Sequence, residues 1–123
     1  MIPVNSPHIS YNEKKYILEC IKSGWISSSG PYIEIFEKKF SKLHNRKYGV
    51  AVSNGTSAIE LSVESLDFKP GDEIIMPTFT IISCILPLIR RKIKPVLVDC
   101  DPYTWNMSVL DIEKLINKKT KAI

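Results

Sequence analysis

The residues best suited by type and spacing to chemistry are Ser53-Asn54-Gly55-Thr56-Ser57. Upstream, Tyr48–Val52 predicts a short buried strand. Downstream, Ile59, Ser62, Val63 and Leu66 recur at helical spacing, which predicts a helix opening near Thr56. A chain that turns from a strand straight into a helix leaves backbone N–H groups unpaired at the helix start. With the helix dipole, they favour an anion. Thr56 and Ser57 add hydroxyl donors at the same end, so the stretch is expected to cradle a phosphate. It is neither a Gly-x-x-x-x-Gly-Lys-Ser/Thr loop nor a Gly-x-Gly-x-x-Gly fingerprint. Ser, Asn, Gly and Thr also serve plain turns and helix caps, and spacing alone leaves both readings open.

Other reactive side chains offer less. Asp99 and Asp101 flank Cys100, and two close carboxylates suit a metal or acid–base work; the better reading is that they cap a turn before Trp105. His8 and His44 lack metal-ligand spacing, and His44 reads as a helix-end residue. Cys20, Cys84 and Cys100 form no Cys-x-x-Cys and predict buried free thiols in a reducing compartment. The loop Trp25–Pro31 carries Trp25 and Ile26 beside three serines. Either Trp25 plugs the core edge, or the loop lines a binding site or a subunit contact.

These residues need elements to position them. The chain has 123 residues, 44% hydrophobic and 24% charged, which suits one soluble domain with a real core. Its net charge of +4 is spread over separate basic clusters without aromatic interleaving, so no nucleic-acid face is expected. No charged-then-apolar leader opens the chain, and the near-apolar run Ile81–Ile89 is too short for a bilayer, so a cytoplasmic protein with no membrane role is expected.

Taken in order, Met1–Ile9 reads as an extended arm. Ser10 and Glu13 fit a capping box for a helix with a Tyr16, Ile17, Cys20 and Ile21 stripe, stopped at Gly24. Ile33, Phe36, Phe40 and Leu43 mark a second helix. Lys69–Asp72 is a turn, and Glu73–Met76 a strand ended by Pro77. Thr78-Phe79-Thr80 makes a second strand-to-helix corner into Ile81–Ile89, where Pro87 kinks the helix or marks an early turn. Lys94–Asp99 is a strand, Ser108 caps a helix carrying Ile112, Leu115 and Ile116, and Thr120–Ile123 opens another strand. The alternation predicts right-handed βαβ units, hence an α/β fold with a mainly parallel sheet flanked by helices. Residues 1–123 are expected to form one domain, with an arm and two helices over 1–46 and βαβ units over 47–123. Ligands of such sheets gather at strand carboxyl ends, where both corners and the Asp99 turn are expected.

The ordered motifs also carry a resemblance. They are Met1–Val4, Gly24-Trp25-Ile26-Ser27-Ser28, Phe36–Phe40, Val52–Ala58, Gly71–Thr80, Pro95–Asp99, Thr104-Trp105-Asn106-Met107 and Lys119–Ile123. Together they resemble the amino-terminal part of the pyridoxal-phosphate-dependent sugar aminotransferases, the DegT/DnrJ/EryC1/StrS family, and in particular its perosamine-forming branch. The resemblance implies part of the large domain of the fold-type I aminotransferase architecture, with pyridoxal 5′-phosphate as cofactor. It places Gly55, Thr56 and Ser57 on the cofactor phosphate. It also places Ile81 on the pyridine ring, where the family usually has an aromatic. Trp25, Ser27 and Ser28 become substrate-side candidates.

The implied reaction moves an amino group from an amino donor, usually glutamate, to a nucleotide-linked keto-deoxy sugar such as GDP-4-keto-6-deoxymannose, for surface-polysaccharide or deoxysugar biosynthesis. The family's active sites form in a homodimer. Its Schiff-base lysine and pyridinium-binding aspartate lie downstream of the last motif, and nothing in 1–123 matches either. The chain is therefore expected to be a portion that does not transaminate alone. The alternative is a non-catalytic or degenerate module that pairs with a full-length subunit. An open sheet of this kind is expected to expose apolar faces and to fold poorly in isolation.

Overall fold

The computed structural model describes residues 2–3 and 5–123. Met1 and Val4, which belong to the expected arm and to the first motif, lie outside the described residues. The chain divides into two compact units, Met1–Ala51 and Val52–Ile123.

The first unit holds two helices, α1 (Tyr11–Ser23) and α2 (Pro31–Leu43). Their ends follow from local chemistry. Ser10 Oγ accepts the Asn12 N–H at 3.2 Å, and the Ser10 N–H donates to the Glu13 carboxylate at 2.7 Å, closing the capping box. Gly24 ends α1 at φ 76, a left-handed turn natural to glycine. Pro31 opens α2, where its missing N–H costs nothing. The two helices are tied by a hydrogen bond from the Tyr32 hydroxyl to Glu19, with the Tyr16 and Tyr32 rings 5.3 Å apart. The Glu19 carboxylate that accepts this proton pushes Tyr32 up to about 12. His44 closes α2 as expected: its N–H donates to the Phe40 carbonyl at 3.2 Å, and its ring stands 4.5 Å from the Phe40 ring.

Two expectations fail in this unit. The stripes predicted on α1 and α2 are not buried: Tyr16, Ile17, Ile21, Phe36, Phe40 and Leu43 are exposed, and Ser41 is the buried residue of α2. The two helices touch where Tyr32 meets Tyr16 and Glu19, and the rest of each apolar stripe has no second layer in the unit to face. Tyr48–Val52 forms no strand either. A strand needs a neighbour for its ladder. Here the Ala51 N–H donates instead to Glu37 Oε1 at 2.8 Å, and Tyr48 and Val50 face outward.

The second unit is built on β1 (Glu73–Pro77). It pairs in parallel with β2 (Lys94–Val98) on one side and β3 (Thr120–Ala122) on the other, giving the order β2-β1-β3. A central parallel strand is covered on both faces, which is why Glu73–Met76 is buried throughout. The connections are helical: a short 3-10 turn (Ile82–Cys84) and α4 (Leu86–Arg90) lead from β1 to β2, and α5 (Val109–Leu115) leads to β3. With α3 (Gly55–Ser65), they enclose a core of Val63, Ile74, Met76, Leu88 and Ile93.

Glu73 brings a carboxylate into this core region, satisfied by Lys94 Nζ at 3.0 Å and Asn117 Nδ2 at 2.8 Å. The Asn117 amide, then Lys94, hold it below the usual carboxylate range. The expected helix Ile81–Ile89 is broken at Ile85, and Pro87 stands in the first turn of α4, where it causes no kink. Two element boundaries of this unit match expectation: Lys69–Asp72 turns through Gly71 at φ 91, and Ser108 caps α5.

The chain exposes 10274 Å². Two separate compact units of these sizes would expose only about 8,000 Å² between them. Large apolar side chains, Ile17, Phe36, Ile81 and Leu110 among them, contribute to that surface.

Candidate functional site

Asn54 begins the site as the N-cap of α3. Its Oδ1 accepts the Ser57 N–H at 2.9 Å, and its carbonyl accepts the Ala58 N–H at 3.1 Å. These bonds consume two of the donors at the helix start. Among the described residues, no acceptor is found for the Gly55 and Thr56 N–H groups, nor any partner for the Thr56 and Ser57 hydroxyls. No acidic residue stands in the first turn of α3, so nothing there repels an anion.

Glycine at position 55 is the informative detail. The other glycines have reasons within the chain. Gly24, Gly30 and Gly71 take positive φ, and a Cβ at Gly49 would come within 2.9 Å of the Glu37 carbonyl. Gly55 has no positive φ, and a Cβ built there meets nothing within 4 Å. Glycine weakens a helix, and neither packing nor backbone geometry calls for it here. Open space at the Cβ position of a residue beside unpaired N–H groups suits close approach by a ligand. The donor set and the clear space fit a phosphate group.

The second corner lies in the same unit. Thr78 follows β1, its N–H donating to the Val98 carbonyl at 2.9 Å and its hydroxyl to Asp99 Oδ1 at 3.3 Å. The ends of β1 and β2 are thereby joined. Ile81 is extended and exposed, and it opens the 3-10 turn that packs against α3. Gly55, Thr56 and Ser57 thus share one helical turn, and Ile81 leads into a turn supported by that same helix.

Of the two aspartates, Asp101 caps the turn as its sequence context suggested, whereas the Asp99 carboxylate accepts the Cys100 N–H at 2.8 Å and the Thr78 hydroxyl and caps no turn before Trp105. Asp101 accepts from the Tyr103 and Thr104 N–H groups at 3.0 and 2.8 Å and from the Thr104 hydroxyl at 3.0 Å. The Thr104 backbone, the Thr104 hydroxyl and the Tyr103 backbone, in that order, hold it below the usual carboxylate range. Cys20, Cys84 and Cys100 are free and half-buried.

Trp25, Ser27 and Ser28 belong to the first unit. Trp25 lies against Gly30, where a Cβ would come within 3.3 Å of the Trp25 Cβ and 3.5 Å of its ring. Ser27 and Ser29 bond each other, with Ser27 Oγ donating to the Ser29 carbonyl at 3.2 Å. The loop encloses a recess of about 140 Å³ lined by Cys20, Trp25, Tyr32 and Ile33 among others. Trp25 therefore packs on its own loop while half its surface stays open.

The sequence profile of the DegT/DnrJ/EryC1/StrS aminotransferases matches residues 7–123. The chain belongs to that family. GDP-perosamine synthase of Escherichia coli O157:H7 is 46% identical over 122 residues, covering 99% of this chain and 34% of that protein. The Vibrio cholerae GDP-perosamine synthase is 42% identical over 123 residues, covering 100% and 34%. Among solved structures, E. coli GDP-4-keto-6-deoxy-D-mannose-3-dehydratase with bound hydrated pyridoxal phosphate superposes with a TM-score of 0.87 at 31% identity. It covers 98% of this chain and 32% of that one. The chain spans about a third of the length of the curated relatives it matches.

Membership of the DegT/DnrJ/EryC1/StrS family agrees with the parallel sheet: the fold is part of the α/β fold of the pyridoxal-phosphate-dependent sugar aminotransferases. Sequence reasoning missed two features of the second corner. One is the Thr78–Asp99 bond. The other is the packing of Phe79 on Trp105, with ring centroids 5.0 Å apart. The turn chemistry of Asp101 pointed to Trp105, but no local signal paired it with Phe79. Among the described residues, no helix is long and apolar enough to cross a membrane.

Proposed function

We propose that this chain is the cofactor-phosphate-binding portion of a sugar aminotransferase that uses pyridoxal 5′-phosphate, and that Gly55, Thr56 and Ser57 hold the phosphate. The observation that carries the reading is Gly55, a helix-start glycine with clear space before it and unpaired N–H groups beside it. In this reading Gly55 and Thr56 donate backbone N–H groups, and Thr56 and Ser57 donate hydroxyls. Asn54 does not bind the anion; it takes the Ser57 N–H and fixes the turn. Ile81 lies along the ring of the cofactor and shields that face from water by dispersion. Bound pyridoxal phosphate supplies the electron sink for amino transfer.

The wider reading draws on relatives at 41–46% identity named GDP-perosamine synthase. The substrate is a GDP-linked keto-deoxy sugar, the amino donor is glutamate, and the working unit is a cytoplasmic homodimer. Trp25, Ser27 and Ser28 serve the substrate side. The lysine and aspartate that complete the site lie outside residues 1–123, so the chain alone does not transaminate. A second reading, a module that pairs with a complete subunit, draws on the exposed apolar faces of α1 and α2. Light scattering of the chain mixed with a complete relative separates the two readings, since only the module forms a mixed dimer.

An absorbance titration of the chain with pyridoxal phosphate, beside Thr56→Ala, tests the main reading. We expect saturable binding that Thr56→Ala weakens about tenfold or more, the scale of one hydrogen bond to a charged group. Borohydride should then fix the cofactor to no single lysine. Equal affinity in the two proteins contradicts the cradle, and specific trapping at one lysine contradicts the missing-lysine reading.

A further inference from the structure

The Phe79–Trp105 pair has no role in the phosphate site, yet the chain strains its backbone to make it. Trp105 sits at φ 60. A bulky residue in the left-handed region is an outlier that persists only where its surroundings force it. The forcing groups are all visible. The Trp105 N–H donates to the Asp101 carbonyl at 2.9 Å, and the Asp101 N–H donates to the Asn106 carbonyl at 2.9 Å. The Asp101 carboxylate gathers Tyr103 and Thr104, and Cys100 pairs with Met107 to close the loop at its base.

This locked loop projects the Trp105 ring onto Phe79 at 5.0 Å and 50°, within the favourable tilted range for aromatic pairs. Phe79 is the untethered residue between two tethered ones. Its neighbours are pinned, Thr78 by Val98 and Asp99 and Thr80 by Cys84 Sγ at 3.3 Å. Phe79 itself is 64% exposed beside an open recess of about 490 Å³ bounded by Thr78, Asp99 and Trp105.

We propose that Trp105 is a positioning residue: its ring, presented by the Asp101-locked loop, clamps Phe79 and so fixes the Thr78–Ile81 corner. The proposal rests on the reading in which Ile81 faces the cofactor ring. Trp105 touches no reacting group; it acts through Phe79. Phosphate binding belongs to α3 and does not depend on the clamp.

The test uses the 123-residue chain and the variants Trp105→Ala, Trp105→Phe and Trp105→Gly. Glycine accepts φ 60 without strain, so Trp105→Gly keeps or relaxes the turn while removing the ring. Hydrogen exchange is read at the Thr78 and Cys84 amides, and affinity is read for pyridoxal phosphate and for inorganic phosphate. We expect Ala and Gly to speed exchange at both amides by about two- to tenfold, the range an aromatic pair supports. Exchange at Ile75 should stay unchanged, and Phe should restore the slow rate. Pyridoxal phosphate affinity should fall in the same order while inorganic phosphate affinity holds.

Unchanged exchange in Trp105→Gly overturns the clamp. So does faster exchange with unaltered pyridoxal phosphate affinity, provided Thr56→Ala still weakens it. If neither Thr56→Ala nor Trp105→Ala changes that affinity, the cofactor reading fails, and the proposal falls with it.

Discussion

The two units show what the same amphipathic pattern achieves with and without a second layer. α1 and α2 are each 13 residues long with apolar stripes, α1 opened by a capping box and α2 by Pro31, yet neither buries an apolar residue. The second unit has shorter helices but a three-stranded sheet, and Ile75 and Val98 are 1% exposed. Local signals set where a helix begins and ends. Burial depends on whether another element stands opposite the stripe. The proposed phosphate cradle sits on the unit with the core, and Thr78 and Ile81 are carried by the same sheet and turn. The Trp25 loop is held by its own contacts.

The comparison is broken most sharply at Ile75. Replacing it with alanine should cost about 2–5 kcal/mol in urea unfolding, as expected for a fully enclosed aliphatic residue. A loss below about 1 kcal/mol would mean that the sheet core is not formed in solution. A smaller effect is expected from Asn54→Ala, which removes the cap of α3: roughly 1 kcal/mol by the same measurement. No change there would detach the cap geometry from stability.

Acid sharpens the contrast further. Glu73 is held below the usual carboxylate range by Asn117 and Lys94. A lowered folded value means that its contribution is fully present above the unfolded carboxylate value, about 4.3, and is lost as pH falls through the folded one. The stability gap between the protein and Glu73→Gln should therefore be widest near neutral pH and close on acidification. A gap that grows with acid reverses the sign and refutes the pairing. The smallest effect belongs to the first unit. Ile21→Ala on α1 should stay within about 0.5 kcal/mol, the range of exposed sites. A cost of a core substitution would show that α1 is covered in solution.

What was legible in the sequence follows the same division. Ser10 with Glu13, Gly24, the Lys69–Asp72 turn, Asn54 and Ser108 were readable because each satisfies its backbone within a few residues. The strands β1 and β2 were readable from apolar runs between turn residues, and β3 from the strand–helix alternation. Tyr48–Val52 has the same composition, but a strand exists only with a partner, and Ala51 found Glu37 first. The break at Ile85, between the 3-10 turn and α4, is not encoded by the apolar run Ile81–Ile89. At the candidate site, the Asn54–Ser57 turn was visible because its bonds are local. Thr78 with Asp99 are 21 positions apart, and their bond, like the packing of Phe79 on Trp105, awaited the sheet that joins them.

The central claim is that position 55 is glycine for the sake of a ligand. Gly55→Ala tests it directly, because the substitution meets nothing in the chain. Alanine should raise the unfolding midpoint, gaining about 0.4–1 kcal/mol by restricting the unfolded chain. In the same protein, affinity for pyridoxal phosphate should fall several-fold, as the new methyl enters the phosphate's space. A chain that becomes more stable and binds pyridoxal phosphate as well as before would contradict the account.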